Sequence, residues 1–138
     1  MGGLAVHPEA PALFAHLAYR NVPAAMAWLS QCFGFEQAAL HVRPDGFVQH
    51  AEMRLGRAIL MMMSELPDQG WRSPLSLPGT SQYVHVYLED IDAHYQRAKD
   101  AGAKVARELG PTEYGTRAYA AVDLEGHYWW FDTYHPHG

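Results

Sequence analysis

Phe14-Ala15-His16-Leu17-Ala18-Tyr19-Arg20-Asn21-Val22 decides the reading of this chain, because its pattern occurs twice. Tyr83-Val84-His85-Val86-Tyr87-Leu88-Glu89-Asp90-Ile91 repeats it with His16 and His85 in register. Each copy reads as a short strand running into a helix start. A helical stretch follows each copy and ends at Gly34 or Gly102, and strand-like runs follow that. Two copies of one β-α-β-β-β unit imply a cavity built between them, lined by residues that decide the function.

Working outward, Pro23 to Phe33 is the first helix. Pro23 suits a first turn, where its missing N–H costs nothing, and Ala25, Trp28, Leu29, Cys32 and Phe33 fall on one apolar face. Ile91 to Ala101 is the second helix, with Asp90 as N-cap and Ile91, Tyr95 and Ala98 as its inward stripe. Phe35–Val42, Phe47–Leu55 and Ala58–Ser64 read as the remaining strands of the first half, with turns at 43–46 and at Gly56-Arg57. The second half mirrors them with Lys104–Glu108, a turn at Gly110-Pro111, Arg117–Asp123, a turn at 124–126, and His127–Tyr134. Residues 65–82 carry Pro67, Gly70, Pro74, Pro78 and Gly79 and read as a linker, with Trp71 as its one large anchor. The expected organisation is one domain over residues 1–138, made of modules at about 13–64 and 83–134.

The chain has 138 residues, is 49% hydrophobic and carries a net charge of −5 with no basic run. That is enough apolar content for a core, and it argues against nucleic acid as a partner. The longest apolar run, Ala58 to Met63, is too short to span a bilayer, so no membrane partner is expected. The N-terminus, with Pro8, Glu9 and Pro11, lacks the layout of a signal peptide. The single cysteine, Cys32, reads as a small buried hydrophobe. A cytoplasmic protein is expected. His135 and His137 belong to a polar tail.

The two strand-to-helix copies, the closing Cys32-Phe33-Gly34-Phe35, and the tail Val122-Asp123-Leu124-Glu125-Gly126-His127-Tyr128-Trp129-Trp130 resemble the vicinal oxygen chelate (glyoxalase/bleomycin resistance/dioxygenase) superfamily. The resemblance covers about Leu13 to Tyr134. It implies an α+β fold, two β-α-β-β-β modules forming a cup-shaped curved sheet with the helices outside. Metal-using members of that superfamily place one ligand on each of four strands. Carried over, those slots fall on Phe14, on Tyr83, on Trp130, and within Ile59 to Met63. Phe and Trp have no usable lone pair, Met is soft, and a lone Tyr cannot hold a hard divalent cation. No cofactor is therefore expected, and the resemblance is to the metal-free, bleomycin-resistance-like branch.

Strand alternation then sets the lining. If Phe14 faces the cup, so do His16, Ala18 and Arg20; if Tyr83 does, so do His85 and Tyr87. On the last strand Tyr128, Trp130 and Asp132 share the cup face, while Trp129 and Phe131 lie under the helices. The candidate ligand-binding residues are Phe14, His16, Arg20, Met61, Tyr83, His85, Tyr87, Tyr128 and Trp130, with His50 and Glu52 facing either cup or solvent. The leading expectation is a non-enzymatic, homodimeric protein that sequesters a planar aromatic natural product or antibiotic, its cup within one chain or shared. The alternative is a metal-independent lyase or isomerase with His16 or His85 as acid/base. A displaced metal site using His16, His85 and Glu52 is a third reading.

Overall fold

The computed structural model describes residues 9–136; Pro8, the chain before it, and His137 lie outside the described residues. The order is β1 (Ala15–Tyr19), α1 (Val22–Phe33), β2 (Glu36–Val42), β3 (Val48–Leu55), β4 (Ala58–Ser64), β5 (Val84–Tyr87), α2 (Ile91–Asp100), β6 (Lys104–Pro111), β7 (Arg117–Val122) and β8 (Tyr128–Asp132). Two short 3-10 turns, Pro67–Gln69 and Pro74–Ser76, lie between β4 and β5. Helix α1 starts where the Asn21 side chain accepts the Ala24 N–H, and it ends where Gly34 takes φ +79°, a left-handed conformation open to glycine. Asp90 caps α2 by accepting the Ala93 N–H.

Each half folds its strands into a mixed four-stranded sheet of the same topology, β1-β4-β3-β2 and β5-β8-β7-β6. β1 lies parallel to β4 and β5 parallel to β8, and the other pairs are antiparallel. The fold is thus α+β, built from two β-α-β-β-β units. One difference from the sequence reading is β6, which does not turn at Gly110-Pro111 but pairs through Pro111. It is an outer strand, so Pro111 tolerates its missing N–H there, and register shifts between Val105 and Gly110 absorb the irregularity. The turn comes later, where Gly115 has φ +88°.

Alternation sorts most strands. Leu17, Tyr19, Ala51, Met53, Leu60 and Met62 in the first half, and Tyr119, Ala121, Trp129 and Phe131 in the second, join the buried faces of both helices in one core. Phe33 sits at its centre, its ring 5.5 Å from Trp129, 4.8 Å from Phe131 and 4.9 Å from Trp28. Cys32 is buried there too, and burial raises its thiol pKa. Buried polar groups tie the halves together. The Tyr19 hydroxyl and the Trp129 indole N–H both donate to Asp123, at 2.5 and 3.1 Å. Because the helix-side faces share this core, the opposite faces of the two sheets, hereafter the cup faces, point away from it.

Candidate ligand site

The register fixes which side chains share each cup face. Across the first sheet, His16 pairs with Met61, Met61 with Glu52, and Glu52 with Ala39. Across the second, His85 pairs with Trp130, Trp130 with Ala120, and Ala120 with Arg107. His16 and His85 therefore occupy equivalent places in the repeat, and Met61 is the counterpart of Trp130. His50 and Glu52, which sequence alone left between cup and solvent, lie on the cup face.

The first cup face is rich in imidazole. His50 Nε2 and Glu52 Oε2 are 2.7 Å apart, both side chains about one-third exposed. The His50 ring lies 6.2 Å from those of His16 and His41. Trp71 of the linker meets His16 edge-on at 5.4 Å, and its buried indole N–H has no acceptor among the described residues. Partial burial, and then the neighbouring His50, hold the His16 pKa below its ordinary value, so His16 is a neutral imidazole at pH 7. Arg20 turns aside: its guanidinium donates to Glu65 of the linker at 3.1 Å.

The second cup face is aromatic. Tyr83 meets Tyr128 and Trp130 at 5.9 and 6.2 Å, and the three line a hollow of about 380 Å³ closed on one side by Thr80, Ser81 and Gln82. Trp130 is half-buried, whereas Trp129 is fully buried on the helix side. The Arg107 guanidinium stacks 5.3 Å over Trp130, with its N–H groups donated to backbone carbonyls including that of Ala118. Asp132 is fully buried beneath. Burial works to raise its pKa, but bonds from the Trp130 indole, Thr116, the Tyr134 N–H and Tyr114 outweigh that and bring it below the ordinary value. An anionic acceptor thus pins the Trp130 ring in place.

Of the nine candidates, Tyr83, Tyr128 and Trp130 come together in this hollow. His16 and Met61 lie side by side on the other cup face. Phe14, His85 and Tyr87 border a larger cleft of about 940 Å³ at the seam between β1 and β5, walled by Leu60, Val84, Val86 and Trp129. Arg107 and Tyr114 went unnoticed as site residues, and Asp132, though placed on the cup face, was not among the candidates. Asp132 carried a signal, two residues from Trp130 on the same face. Arg107 carried none, because the irregular register of β6 breaks the period-two pattern that would have placed it.

Among the described residues, no three His, Cys, Asp or Glu side chains converge to hold a metal ion. Phe14, Met61, Tyr83 and Trp130 in the family's ligand slots do not fit one either. The displaced set fails on placement: His85 is on a different sheet from His16 and Glu52, and the three do not converge. What this surface does offer is stacking area on one wall and hydrogen-bonding imidazole on the other.

The comparisons with known proteins agree with this architecture. The uncharacterized protein Rv0887c of Mycobacterium tuberculosis is 33% identical over 129 residues, 91% of this chain and 75% of that one. Its counterpart Mb0911c of Mycobacterium bovis is equally similar, with 84% of its length covered. The crystal structure of TioX from Micromonospora sp. ML1 superposes with a TM-score of 0.69 at 30% identity, over 89% of this chain and 98% of TioX. The model of the Glyoxalase/Bleomycin resistance protein/Dioxygenase superfamily matches residues 12–131, and the chain belongs to that superfamily.

Proposed function

We propose that this protein binds and sequesters a planar aromatic small molecule, a natural product or antibiotic, without turnover, as a cytoplasmic homodimer. Trp130, pinned by Asp132 and backed by Arg107, is the observation that carries this reading. One of its faces is left to a hollow shared with Tyr83 and Tyr128.

Magnitudes favour a cup shared between two copies. Covering one wall removes roughly 250 Å² from water, about 6 kcal/mol of apolar burial. Two stacked rings add about 1–3 kcal/mol. Association itself costs at least about 4 kcal/mol, which leaves a single wall near millimolar affinity. Micromolar binding needs about −8 kcal/mol, so a second wall must cover the ligand. In one chain the cup faces belong to separate sheets, and Tyr83 and Tyr87 are 55% and 41% exposed. The first cup face of a second copy, with His16 and Met61, is the wall that would close over them.

Titration of tryptophan fluorescence with flat heteroaromatic antibiotics tests this, alongside light scattering. Saturable quenching by a dimer, lost in Trp130→Leu, is the expected result. No saturable quenching of folded protein up to about 1 mM, the regime of a bare wall, overturns it. A second reading, metal-independent acid/base catalysis, is supported by the neutral His16 on the cup face. Product formation abolished in His16→Gln, with binding intact, would replace sequestration by that reading.

A further inference from the structure

We infer that the His50–Glu52 pair reads an acidic hydroxyl on the ligand's edge, so that the preferred ligands are phenols or enolised aromatics rather than bare ring systems. This rests on the shared-cup reading above, since it needs the first cup face to lie against a ring held by Trp130.

The chemistry follows from the 2.7 Å contact. A carboxylate only accepts, so His50 Nε2 must carry the proton and donate it to Glu52. That fixes the tautomer. In the neutral ring Nδ1 is then left with a lone pair and accepts a hydrogen bond. No protein donor to Nδ1 is present among the described residues. The Glu52 charge makes the imidazole a stronger acceptor. The two residues stand two apart on β3, whose side chains at that spacing share one face, and Glu52 is anchored in the row that runs through Met61 to His16. The pair is about one-third exposed, open enough to meet a ligand. His16 and His41 flank it with their rings 6.2 Å from that of His50, and neither bonds Glu52. The equivalent place to Glu52 in the second half is Ala120, so the acceptor exists on one wall only. A hydroxyl on a ring stacked against Trp130 would donate to Nδ1. With a sufficiently acidic hydroxyl the proton passes to Nδ1, leaving a phenolate beside an imidazolium paired with Glu52; no bond to carbon changes and no co-reactant is needed.

The matched probes are 1-hydroxypyrene and 1-methoxypyrene, flat rings that differ in the one proton. Both are titrated into the full-length protein at about pH 8, above the ordinary imidazole range, with tryptophan quenching and probe absorption as readouts. 1-Hydroxypyrene should bind about tenfold tighter than the methyl ether, 1.4 kcal/mol, with a red shift of its absorption. His50→Phe should abolish both the preference and the red shift while methoxypyrene affinity persists, and Glu52→Gln should shrink the preference to about two- or threefold. His41→Ala should change neither. Equal binding of the two probes to the unmodified protein overturns this inference and leaves the aromatic-ligand reading standing. A preference that survives His50→Phe overturns it as well. Failure of both probes to bind removes the underlying reading and this one together.

Discussion

Glu125→Ala is expected to destabilise this fold strongly although the residue is remote from the cup faces. Glu125 lies in the β7–β8 turn and is 4% exposed. One carboxylate oxygen accepts the Arg20 N–H at 2.7 Å and the Ser73 hydroxyl at 2.6 Å; the other accepts the Asn21 N–H at 2.9 Å. A single side chain of the second half therefore holds the entry to α1 and the linker. Alanine leaves two backbone N–H groups and a hydroxyl without their acceptor. Hydrogen bonds to a charged group are worth about 1.5–3 kcal/mol each. Arg20 and Asn21 are exposed, so water rehydrates their N–H groups, and three bonds to one carboxylate do not add. A loss of about 3–4 kcal/mol results, within the range for breaking a buried charged contact. Glu125→Gln keeps one accepting oxygen for Arg20 and Ser73 but sets an amide N–H₂ against the Asn21 N–H, for about 1–2 kcal/mol. Urea unfolding followed by tryptophan fluorescence, with a slope near 2 kcal/mol/M, should show midpoints lower by roughly 1.5–2 M for alanine and 0.5–1 M for glutamine. Protein concentration is held fixed, because self-association would shift the midpoint. An alanine shift below about 0.3 M, or equal shifts for the two variants, refutes the assignment.

Stability should fall as the solution is acidified from pH 7.5 to 5. Burial lowers the His94 pKa, aided by Arg97 and opposed by the bond from Nε2 to the Phe33 carbonyl, while Nδ1 accepts from the Tyr119 hydroxyl at 2.6 Å. The unfolded chain then binds the extra proton first, so this stability is present above the ordinary value of 6.5 and lost as pH falls below it towards the folded value. His94→Phe should flatten the dependence of the urea midpoint on pH, and an unchanged slope counts against the assignment. His16 shifts in the same direction, so His16→Gln serves as the control for its share. Subunit exchange tests the shared cup. Co-refolding His50→Phe with Trp130→Leu should restore unmodified sites to half of the cups in mixed dimers, because one cup then receives both intact walls. If each cup belongs to a single chain, every cup keeps one defect and no red-shifted, tight 1-hydroxypyrene binding returns.

The parts of this fold that sequence displayed are those set by local period. His16 and His85 fall at equivalent register positions because the strand-to-helix grammar repeats residue for residue. Trp129 is buried and Trp130 faces the cup because a strand alternates. Asp90 caps α2 and Gly34 ends α1 as their chemistry allows, Pro23 lies in the first turn of α1, and the cap of α1 proves to be Asn21. What stayed hidden depends on contacts between distant segments. Nothing in the local sequence singles out His94, yet it bonds Phe33 of α1 and Tyr119 of β7. Ser73 and Glu125, two polar residues in turn-like stretches, are buried against each other 52 positions apart. Pro111 looked like a stop because proline disrupts a central strand, and only its place on the outer strand removes the penalty.

Alternation assigns a side chain to a face, but it is silent on which faces meet. That is why, of nine residues sharing one expected lining, eight divide among a hollow, the other sheet and a seam, and Arg20 turns aside to Glu65. The row that runs His16–Met61–Glu52–Ala39 on one sheet runs His85–Trp130–Ala120–Arg107 on the other. Identical backbone positions therefore carry opposite chemistry. Where the first wall has a carboxylate, the second has a methyl group that leaves the Trp130 ring accessible. Where the first has a small Ala39, the second has a guanidinium that backs that ring. Two copies of the first wall would offer imidazole with little to stack on, and two of the second would offer stacking with no oriented base. A two-fold dimer that set each wall against the other kind would give every cup one of each, and the duplicated unit would then build a site that neither module holds alone.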